Sequence, residues 1–374
     1  MKKSKFKSLT IIISTTLLLF LFIDLFLGKK ISTYITISSD EDIYRIANKN
    51  YHHGFKRDFQ TNKAHWGNKF YQFCSDKRGF KFNCKNQEEI NYDYAFIGDS
   101  FTEGIGLKFE ETFVGLFKEN SRLNVVNLGV ASYSPWIYEK KINYLLSNNI
   151  IKFEKLVVAI DLTDLENDWN YSQKEKALLQ PQKTKALLQP QKTKALLQPL
   201  EKSLELNIVS KTILKSKIYL KSNLLLSHYL IKQIWWGGLR NFFPNYIDVY
   251  IRYDNPAHAW AYKNQSEKKV EIDFMINNMK KLSDLLKTKN IPLIVVIYPH
   301  PASILYDSTD SNYKQIWEKF CETECLYFID GFSELVEKKN EANTIINKLY
   351  IKGDVHFNFE GNKYLFEKIN NVLK

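Results

Sequence analysis

The stretch YAFIGDSFTEG, residues 94–104, sets an apolar run directly before three small or polar residues. The run Tyr94–Ile97 is too uniformly apolar to leave one face in water, which indicates a strand buried in a parallel sheet. Gly98, Asp99 and Ser100 follow it at once. Ligands of open α/β sheets bind beyond the carboxyl ends of the strands, so the Ser100 hydroxyl is expected at the binding edge. A Gly-Asp-Ser triplet is also ordinary turn chemistry, and alone it is a weak signal.

Short apolar runs alternate with amphipathic helical patterns through the rest of the chain, with apolar residues at three- and four-residue spacing in the helices. This alternation predicts an α/β fold, a three-layer α/β/α domain around a mostly parallel, five-stranded, doubly wound sheet of flavodoxin-like type. Besides Tyr94–Ile97, the predicted strands are Asn124–Leu128, Leu156–Ile160, Ile291–Tyr298 and Leu326–Ile329. The predicted helices are Glu111–Glu119, Pro135–Leu146, Val270–Lys287, Tyr313–Cys321 and Glu360–Leu373.

Two further segments supply groups that can work with Ser100. In NLGVAS, Gly129 permits close backbone approach and can offer an N–H to a developing oxyanion. In GDVHFNFEGN, Asp354 and His356 lie just before the last helix. A histidine can act as the general base for a serine, with a carboxylate to orient the imidazole. These segments predict a catalytic site of Ser100, His356 and Asp354.

The three segments, in this order, resemble the motif blocks of the SGNH hydrolase superfamily, also called GDSL esterases, over about residues 90–374 outside a repeat. The resemblance implies that Ser100 is the nucleophile and that its own N–H and that of Gly129 hold the oxyanion. The family's Gly-x-Asn-Asp block reads DLTD here. Thr163 therefore stands in place of the oxyanion asparagine, with Asn167 as an alternative donor. The Asp-x-x-His block is one residue tighter, as it is in the related periplasmic alginate acetyltransferases.

The resemblance implies two-step acyl transfer, in which His356 takes the Ser100 proton and Asp354 fixes the imidazole tautomer. If water accepts the acyl group from Ser100, the protein is an esterase. If a sugar hydroxyl accepts it, the protein is an O-acetyltransferase. We expect an enzyme that acts on acylated cell-envelope or exported glycans, related to bacterial polysaccharide acetyltransferases and acetylesterases, with a membrane acyltransferase as a candidate partner. The alternatives are a lipolytic esterase and a catalytically weak glycan-binding or assembly protein.

Two more polar residues lie at the predicted binding edge. Asp99 precedes the serine, and His300 ends the fourth strand, so both are candidates for substrate contact. Because His300 lies between two prolines, it can equally shape a loop. The sequence shows no phosphate loop, dinucleotide fingerprint or metal-ligand cluster, so we expect neither a cofactor nor a metal.

The N-terminal segment has the pattern of a membrane anchor. Four lysines precede Leu9–Gly28, which is long enough to span a bilayer as a helix. Its bulky apolar residues continue to the end without a small-residue cleavage site, which predicts an uncleaved span. The lysine excess before the span places the N-terminus in the cytoplasm and the chain from Lys29 onward in the periplasm or outside the cell. We therefore expect a single-pass inner-membrane protein with an extracytoplasmic catalytic domain.

The cysteines suit that compartment. Cys74 and Cys84 flank a short turn-like segment, and Cys321 and Cys325 lie close together, so two local disulfides are an option in an oxidising space. A zinc site is the rival, and it would require distant ligands to converge.

The net charge of +12 comes from lysines spread along helices. Nucleic-acid binding usually shows as a concentrated basic patch with interleaved aromatics, so we expect no nucleic acid among the partners.

The predicted organisation is an anchor, an N-terminal extension or linker, and a hydrolase-like domain with one insertion. Within the insertion, a nine-residue unit occurs in three copies, which we interpret as a mobile surface segment without chemistry. A Leu-rich stretch after the repeat suits a lid, a helix on the membrane surface or a core helix. The boundaries are 1–30 for the tip and anchor, 31–90 for the extension, 91–374 for the domain, 170–265 for the insertion, 173–199 for the repeat and 208–236 for the Leu-rich stretch.

Overall fold

The chain forms two compact units, Met1–Asp40 with Ala177–Tyr246, and Glu41–Lys176 with Ile247–Lys374. The candidate catalytic residues all belong to the second unit. The repeat and the Leu-rich stretch lie almost wholly outside the described residues. The computed structural model describes residues 12–27, 43–66, 69–85, 89–179, 255–263 and 268–374, and the single positions 224, 226, 227, 230 and 253.

A parallel five-stranded sheet forms the centre of the second unit, which confirms the predicted α/β class. In spatial order its strands are Val125–Asn127, Asn91–Gly98, Lys152–Ile160, Leu293–Ile297 and Tyr327–Asp330, and every neighbouring pair is parallel. Each of the five predicted strands is present, with ends that differ by a few residues. The described strands are β1 (Arg45–Asn48), β2 (His52–Phe55), β3 (Phe59–Trp66), β4 (Lys69–Ser75), β5 (Asn91–Gly98), β6 (Val125–Asn127), β7 (Lys152–Ile160), β8 (Leu293–Ile297) and β9 (Tyr327–Asp330).

Successive residues of the sheet strands enter two different hydrophobic clusters. In β5, Ala95 and Ile97 belong to one cluster, whereas Tyr94 and Phe96 belong to the other. Neighbouring side chains of a strand point to opposite faces, so the two clusters lie on the two sides of the sheet. Because both faces are covered, the central strands are apolar throughout, as the sequence indicated.

Helices pack on both faces of this sheet. Helices Pro135–Ser147 and Lys269–Lys287 contact each other and contribute to the cluster of Ala95. Helices Phe113–Ser121 and Phe359–Leu373 contact each other and contribute to the cluster of Phe96. The unit is thus a three-layer domain. The described helices are α1 (residues 12–27), α2 (Ser100–Glu103), α3 (Phe113–Ser121), α4 (Pro135–Ser147), α5 (Asp164–Leu179), α6 (Pro256–Ala259), α7 (Lys269–Lys287), α8 (Pro301–Tyr306), α9 (Asn312–Glu324), α10 (Ser333–Glu337), α11 (Ala342–Leu349) and α12 (Phe359–Leu373).

The segment predicted as an extension or linker folds into two antiparallel hairpins, β1-β2 and β3-β4. Tyr44 and Phe73 from these hairpins stack on each other and belong to the hydrophobic cluster on one face of the central sheet. The ammonium of Lys81, just after β4, is buried and donates hydrogen bonds to the carbonyls of Gly104 and Leu107. These contacts make the hairpins part of the domain.

The predicted membrane span is described over residues 12–27, which form α1 in the first unit. Asp24 is buried there, and its carboxylate accepts hydrogen bonds from the backbone N–H groups of Leu226 at 2.8 Å and Ser227 at 2.6 Å. Within the described part of the chain, no helix combines the length and apolar character needed to cross a membrane.

The cysteines pair locally. Cys74 bonds to Cys84, and Cys321 bonds to Cys325 at the end of α9, with Cα–Cα distances of 5.4 and 4.6 Å. The first disulfide closes the loop after β4, so it braces the region that carries Lys81.

Candidate active site

Ser100, His356 and Asp354 form one hydrogen-bonded chain. Ser100 is the first residue of α2, immediately beyond the carboxyl end of β5. Its Oγ lies 2.8 Å from Nε2 of His356, and Nδ1 of His356 lies 2.5 Å from Oδ1 of Asp354. A hydroxyl held by an imidazole that is held by a carboxylate is the arrangement that activates a serine as a nucleophile.

The turn from β5 into α2 depends on Gly98 and Asp99. A Cβ on Gly98 would lie 2.1 Å from the Thr102 hydroxyl and 2.6 Å from the Ala159 carbonyl, so no larger residue fits. The Asp99 carboxylate accepts the backbone N–H of Phe101 at 2.9 Å and thereby caps α2. Ser100 is thus presented by a rigid strand-to-helix turn.

The tight Asp-x-His spacing also has a local explanation. Oδ1 of Asp354 accepts both the backbone N–H of His356, at 3.0 Å, and the ring Nδ1–H of the same residue. The backbone bond is an Asx-turn contact, which holds the two residues in register. The loop between α11 and α12 therefore fixes the imidazole from two points.

The charges in this chain support each other. Burial alone would lower the pKa of His356, but the charge and hydrogen bond of Asp354 raise that pKa above its ordinary value of 6.5. Burial alone would raise the pKa of Asp354, but the charge and hydrogen bonds of His356 hold that pKa below its usual range. The carboxylate therefore stabilises the imidazolium that forms when His356 takes a proton.

Trp66, at the end of β3, contacts both Asp354 and His356. Its indole Nε1–H donates to Oδ2 of Asp354 at 2.9 Å, and its ring lies edge-on to the His356 ring, with centroids 5.1 Å apart. Sequence reasoning missed this residue, because Trp66 lies in a segment interpreted as a linker and no local pattern connects it to Asp354.

A cleft of about 430 Å³ opens over the serine and the histidine. Its wall combines the N-terminal hairpins with the turn after β6 and with α5, so the hairpins shape the space next to the nucleophile. Besides Ser100 and His356, the lining residues are Arg45, His52, His53, Trp66, Ile105, Ala131, Ser132 and Tyr171.

Two of the groups predicted to hold an oxyanion, the Gly129 N–H and the Thr163 hydroxyl, have other partners in the structure. The N–H of Gly129 donates to Oδ1 of Asn127 at 2.9 Å, and a Cβ on Gly129 would lie 2.6 Å from the Thr102 side chain. The Thr163 hydroxyl donates to Oδ1 of Asp161 at 2.5 Å. Neither Thr163 nor Asn167 lines the cleft. Close packing accounts for the glycine at position 129.

Ser132 offers a backbone N–H on the cleft wall. It is the third residue of a turn closed by a hydrogen bond of 3.1 Å from the Tyr133 N–H to the Val130 carbonyl, and its φ of +63° lies in the left-handed region. Among the residues that the structure describes, no hydrogen bond uses the Ser132 N–H. The backbone N–H of Ser100, in the first turn of α2, has no intrahelical acceptor. These two amides belong to the same cleft.

A buried acidic cluster lies behind the serine. Carboxylate oxygens of Asp99, Asp161 and Asp164 lie within 4.8 Å of one another, and Oδ2 of Asp99 lies 3.0 Å from Oγ of Ser100. Burial and the charge of Asp161 raise the pKa of Asp99, and burial with the charge of Asp99 raises the pKa of Asp164. This cluster therefore holds protons at a pH where exposed carboxyls are ionised.

His300, a candidate for substrate contact, is 2% exposed and lies 2.6 Å from Asp161 through its Nε2. The charge of His300 holds the pKa of Asp161 low against the effect of burial. Neither His300 nor Asp99 lines the cleft. His300 instead contacts Asp161, and Asp99 caps α2.

Comparisons with known proteins give structural likenesses alone. No family model and no curated protein matches the sequence. The chain is similar to the esterase EstA from Pseudoalteromonas sp. at 10% identity and a TM-score of 0.35, covering 76% of this chain and 96% of that one. It is similar to a variant acetylxylan esterase from Geobacillus stearothermophilus at 13% identity and a TM-score of 0.35, covering 77% of this chain and 95% of that one. It is also similar to a GDSL-like lipase from Bacteroides thetaiotaomicron at 11% identity and a TM-score of 0.31, covering 75% of this chain and 86% of that one.

Proposed function

We propose that this chain is a serine esterase of the SGNH type that removes short acyl groups, above all acetyl groups, from glycans. The observation that carries the proposal is the hydrogen-bonded chain of Ser100, His356 and Asp354 at a strand end, next to an open cleft. The likeness of the motif blocks to those of the SGNH superfamily agrees with it.

The reaction follows from the positions of the groups. As Oγ of Ser100 attacks the ester carbonyl, its proton passes to Nε2 of His356, and the imidazolium is stabilised by Asp354. The imidazolium then gives this proton to the leaving alcohol, and an acyl-serine remains. Water attacks the acyl-serine and loses a proton to His356. His356 then gives this proton to Oγ of Ser100 as the acid leaves, and the serine hydroxyl is restored.

The proposed oxyanion donors are the backbone N–H groups of Ser100 and Ser132. Both residues line the cleft, whereas the N–H of Gly129 donates to Asn127. Donors fixed in advance stabilise the charge of the tetrahedral intermediate more than water does.

The cleft favours a small acyl group on a polar alcohol. Arg45, His52 and Ser132 line the cleft beside the apolar side chains of Trp66, Ile105 and Ala131. The polar groups suit the hydroxyls of a sugar, and on that ground we favour an acetylated sugar over a lipid. An O-acetyltransferase differs in the second step, where a sugar hydroxyl replaces water and a membrane acyltransferase is a candidate acetyl source.

The test measures hydrolysis of aryl esters with acyl chains from two to twelve carbons, and acetate release from an acetylated polysaccharide, with Ser100→Ala as the control. We expect turnover to be highest for the acetate and to fall with chain length, and we expect Ser100→Ala to release none. A preference for the longest chains would replace the glycan substrate with a lipid. No turnover of any ester, together with no labelling of Ser100 by a fluorophosphonate, would overturn the proposal.

We also propose the membrane anchor and extracytoplasmic location predicted from the sequence. The lysines before α1 and its exposed apolar side chains, such as Leu18 and Phe26, support it, and so do the paired cysteines. Protease added to intact spheroplasts should digest the catalytic unit. Full protection, with digestion after lysis, would contradict the proposal.

Trp66→Phe should lower kcat/KM for acetyl-ester hydrolysis about ten- to a hundredfold, because a hydrogen bond to a charged group contributes about 1.5–3 kcal/mol. The phenyl ring preserves the edge-on contact with His356 and removes the donor to Asp354. The loss should be smaller when Asp354 is already asparagine, because the indole acts through the carboxylate.

Trp169→Phe, on α5 and outside the cleft lining, is the matched control and should retain the activity of the unaltered chain. Equal rates for Trp66→Phe and Trp169→Phe would show that the indole hydrogen bond is unimportant.

A further inference from the structure

The second N-terminal strand places a histidine against the turn that carries Ser132. Nε2 of His53 lies 2.8 Å from the carbonyl oxygen of Ala131. A carbonyl oxygen only accepts, so Nε2 of His53 carries the proton and donates it. Nδ1 of His53 is then an acceptor, and it lies 2.8 Å from Nδ1 of His52, which must donate. Burial lowers the pKa of His53 to about 4, which agrees with a neutral ring in this tautomer.

This contact fixes the direction of an amide that His53 does not touch. The carbonyl of Ala131 and the N–H of Ser132 belong to one peptide group, which is planar and trans, so they point in opposite directions. When His53 holds the carbonyl on one side, the Ser132 N–H must face the other side. Ser132 and Ser100 line the same cleft.

The preceding peptide is held by Glu103 of α2, which in turn is held by Arg45 of the first N-terminal strand. The Ala131 N–H donates to Oε2 of Glu103 at 2.8 Å, and the other oxygen of Glu103 accepts from Arg45 and Tyr44. Burial would raise the pKa of Glu103, but Arg45 holds it below its usual range, so the acceptor is a charged carboxylate.

A third bond joins the same turn to the hairpin. The hydroxyl of Tyr133 donates to the backbone carbonyl of His53 at 2.6 Å. The left-handed conformation of Ser132 is strained and persists only where the surroundings determine it fully. The bonds from His53, Glu103 and Tyr133 hold the turn in this conformation.

We propose that His53 is a positioning residue for oxyanion binding: its Nε2–H holds the Ala131 carbonyl, and this turns the Ser132 N–H toward the ester carbonyl bound at Ser100. The inference rests on the proposed esterase function. It predicts that His53 acts on the transition state and leaves binding of the substrate nearly unchanged, because the oxyanion exists only after Ser100 attacks.

The test compares His53→Phe with His53→Gln. Phenylalanine keeps a ring against Tyr133, whose ring centroid lies 4.8 Å from that of His53, and removes the donor. Glutamine offers an amide N–H at a similar distance from the backbone. We expect kcat to fall about a hundredfold in His53→Phe with KM within about twofold, and His53→Gln to recover most of the loss. Affinity for a phosphonate analogue of the tetrahedral intermediate should fall in parallel with kcat/KM.

The control for general damage to the hairpins is His65→Leu, because His65 is buried in β3 and does not line the cleft. This variant should keep kcat. Unchanged kcat in His53→Phe, a rise in KM alone, or no recovery in His53→Gln would each overturn the inference. If His53→Phe does not fold, His53→Leu takes its place in the same comparison. Absence of ester turnover in the unaltered chain would instead refute the proposed function, so the two failures are distinct.

Discussion

Ser100→Ala should lower kcat for acetyl-ester hydrolysis on the order of a million-fold, and His356→Ala should lower it nearly as much. In the proposed reaction the oxygen of this hydroxyl becomes acylated, and the imidazole 2.8 Å away takes its proton. Without either one, catalysis is reduced to what the oxyanion donors and substrate binding supply. Single-turnover kinetics with an aryl acetate measure both losses.

The double variant is the internal control for this prediction. Because the nucleophile and the base act as one unit, removing both should cost no more than removing Ser100 alone. Losses that multiply in the double variant would show that His356 does something other than activate the serine. Undiminished acetyl-ester turnover by Ser100→Ala would overturn the whole assignment.

Asp354→Asn should lower kcat roughly ten-thousandfold, because an asparagine no longer enforces the imidazole tautomer or stabilises the imidazolium. The pH dependence gives the second readout. His356 must be neutral to act as a base, so kcat/KM rises with pH through the pKa of His356, which Asp354 holds above 6.5. Removing the carboxylate charge should move this rise to lower pH.

The shift in the pH profile separates the charge of Asp354 from its structural role. A variant that is merely misfolded loses active enzyme and keeps the midpoint of its acid limb. A midpoint that stays in place in Asp354→Asn, or moves to higher pH, would therefore contradict the assigned role, whatever the loss in kcat. Glutamate at position 354 keeps the charge and should retain the high midpoint.

Sequence reasoning located the sheet because its strands are buried on both faces and are apolar throughout. It brought Ser100 together with His356 and Asp354 because three motif segments in the right order imply one site. The glycine pattern around Gly129 was ambiguous, since a glycine serves close packing as well as oxyanion binding, and the structure shows the packing contact with Thr102.

The hairpins could not be predicted in the same way. Their strands are not buried on both faces, and their chemical partners are distant: His53 contacts Ala131, 78 residues away, and Trp66 contacts Asp354, 288 residues away. No periodicity connects such positions. Ser132 was missed because its left-handed backbone is a property of the turn and is more often found with glycine. The membrane anchor remains a prediction from the sequence.

The contact between Trp66 and Asp354 bears on when the candidate site assembles as the chain folds. Contacts between distant parts of a chain close large loops, and they form late and slowly during folding. The nucleophile segment is synthesised long before the residues that activate it, and the strands that shape its cleft precede both. In a nascent chain Ser100 therefore lacks its partners. Under the proposed function, the chain can hydrolyse esters only after these distant segments have met, so an incomplete chain is inactive.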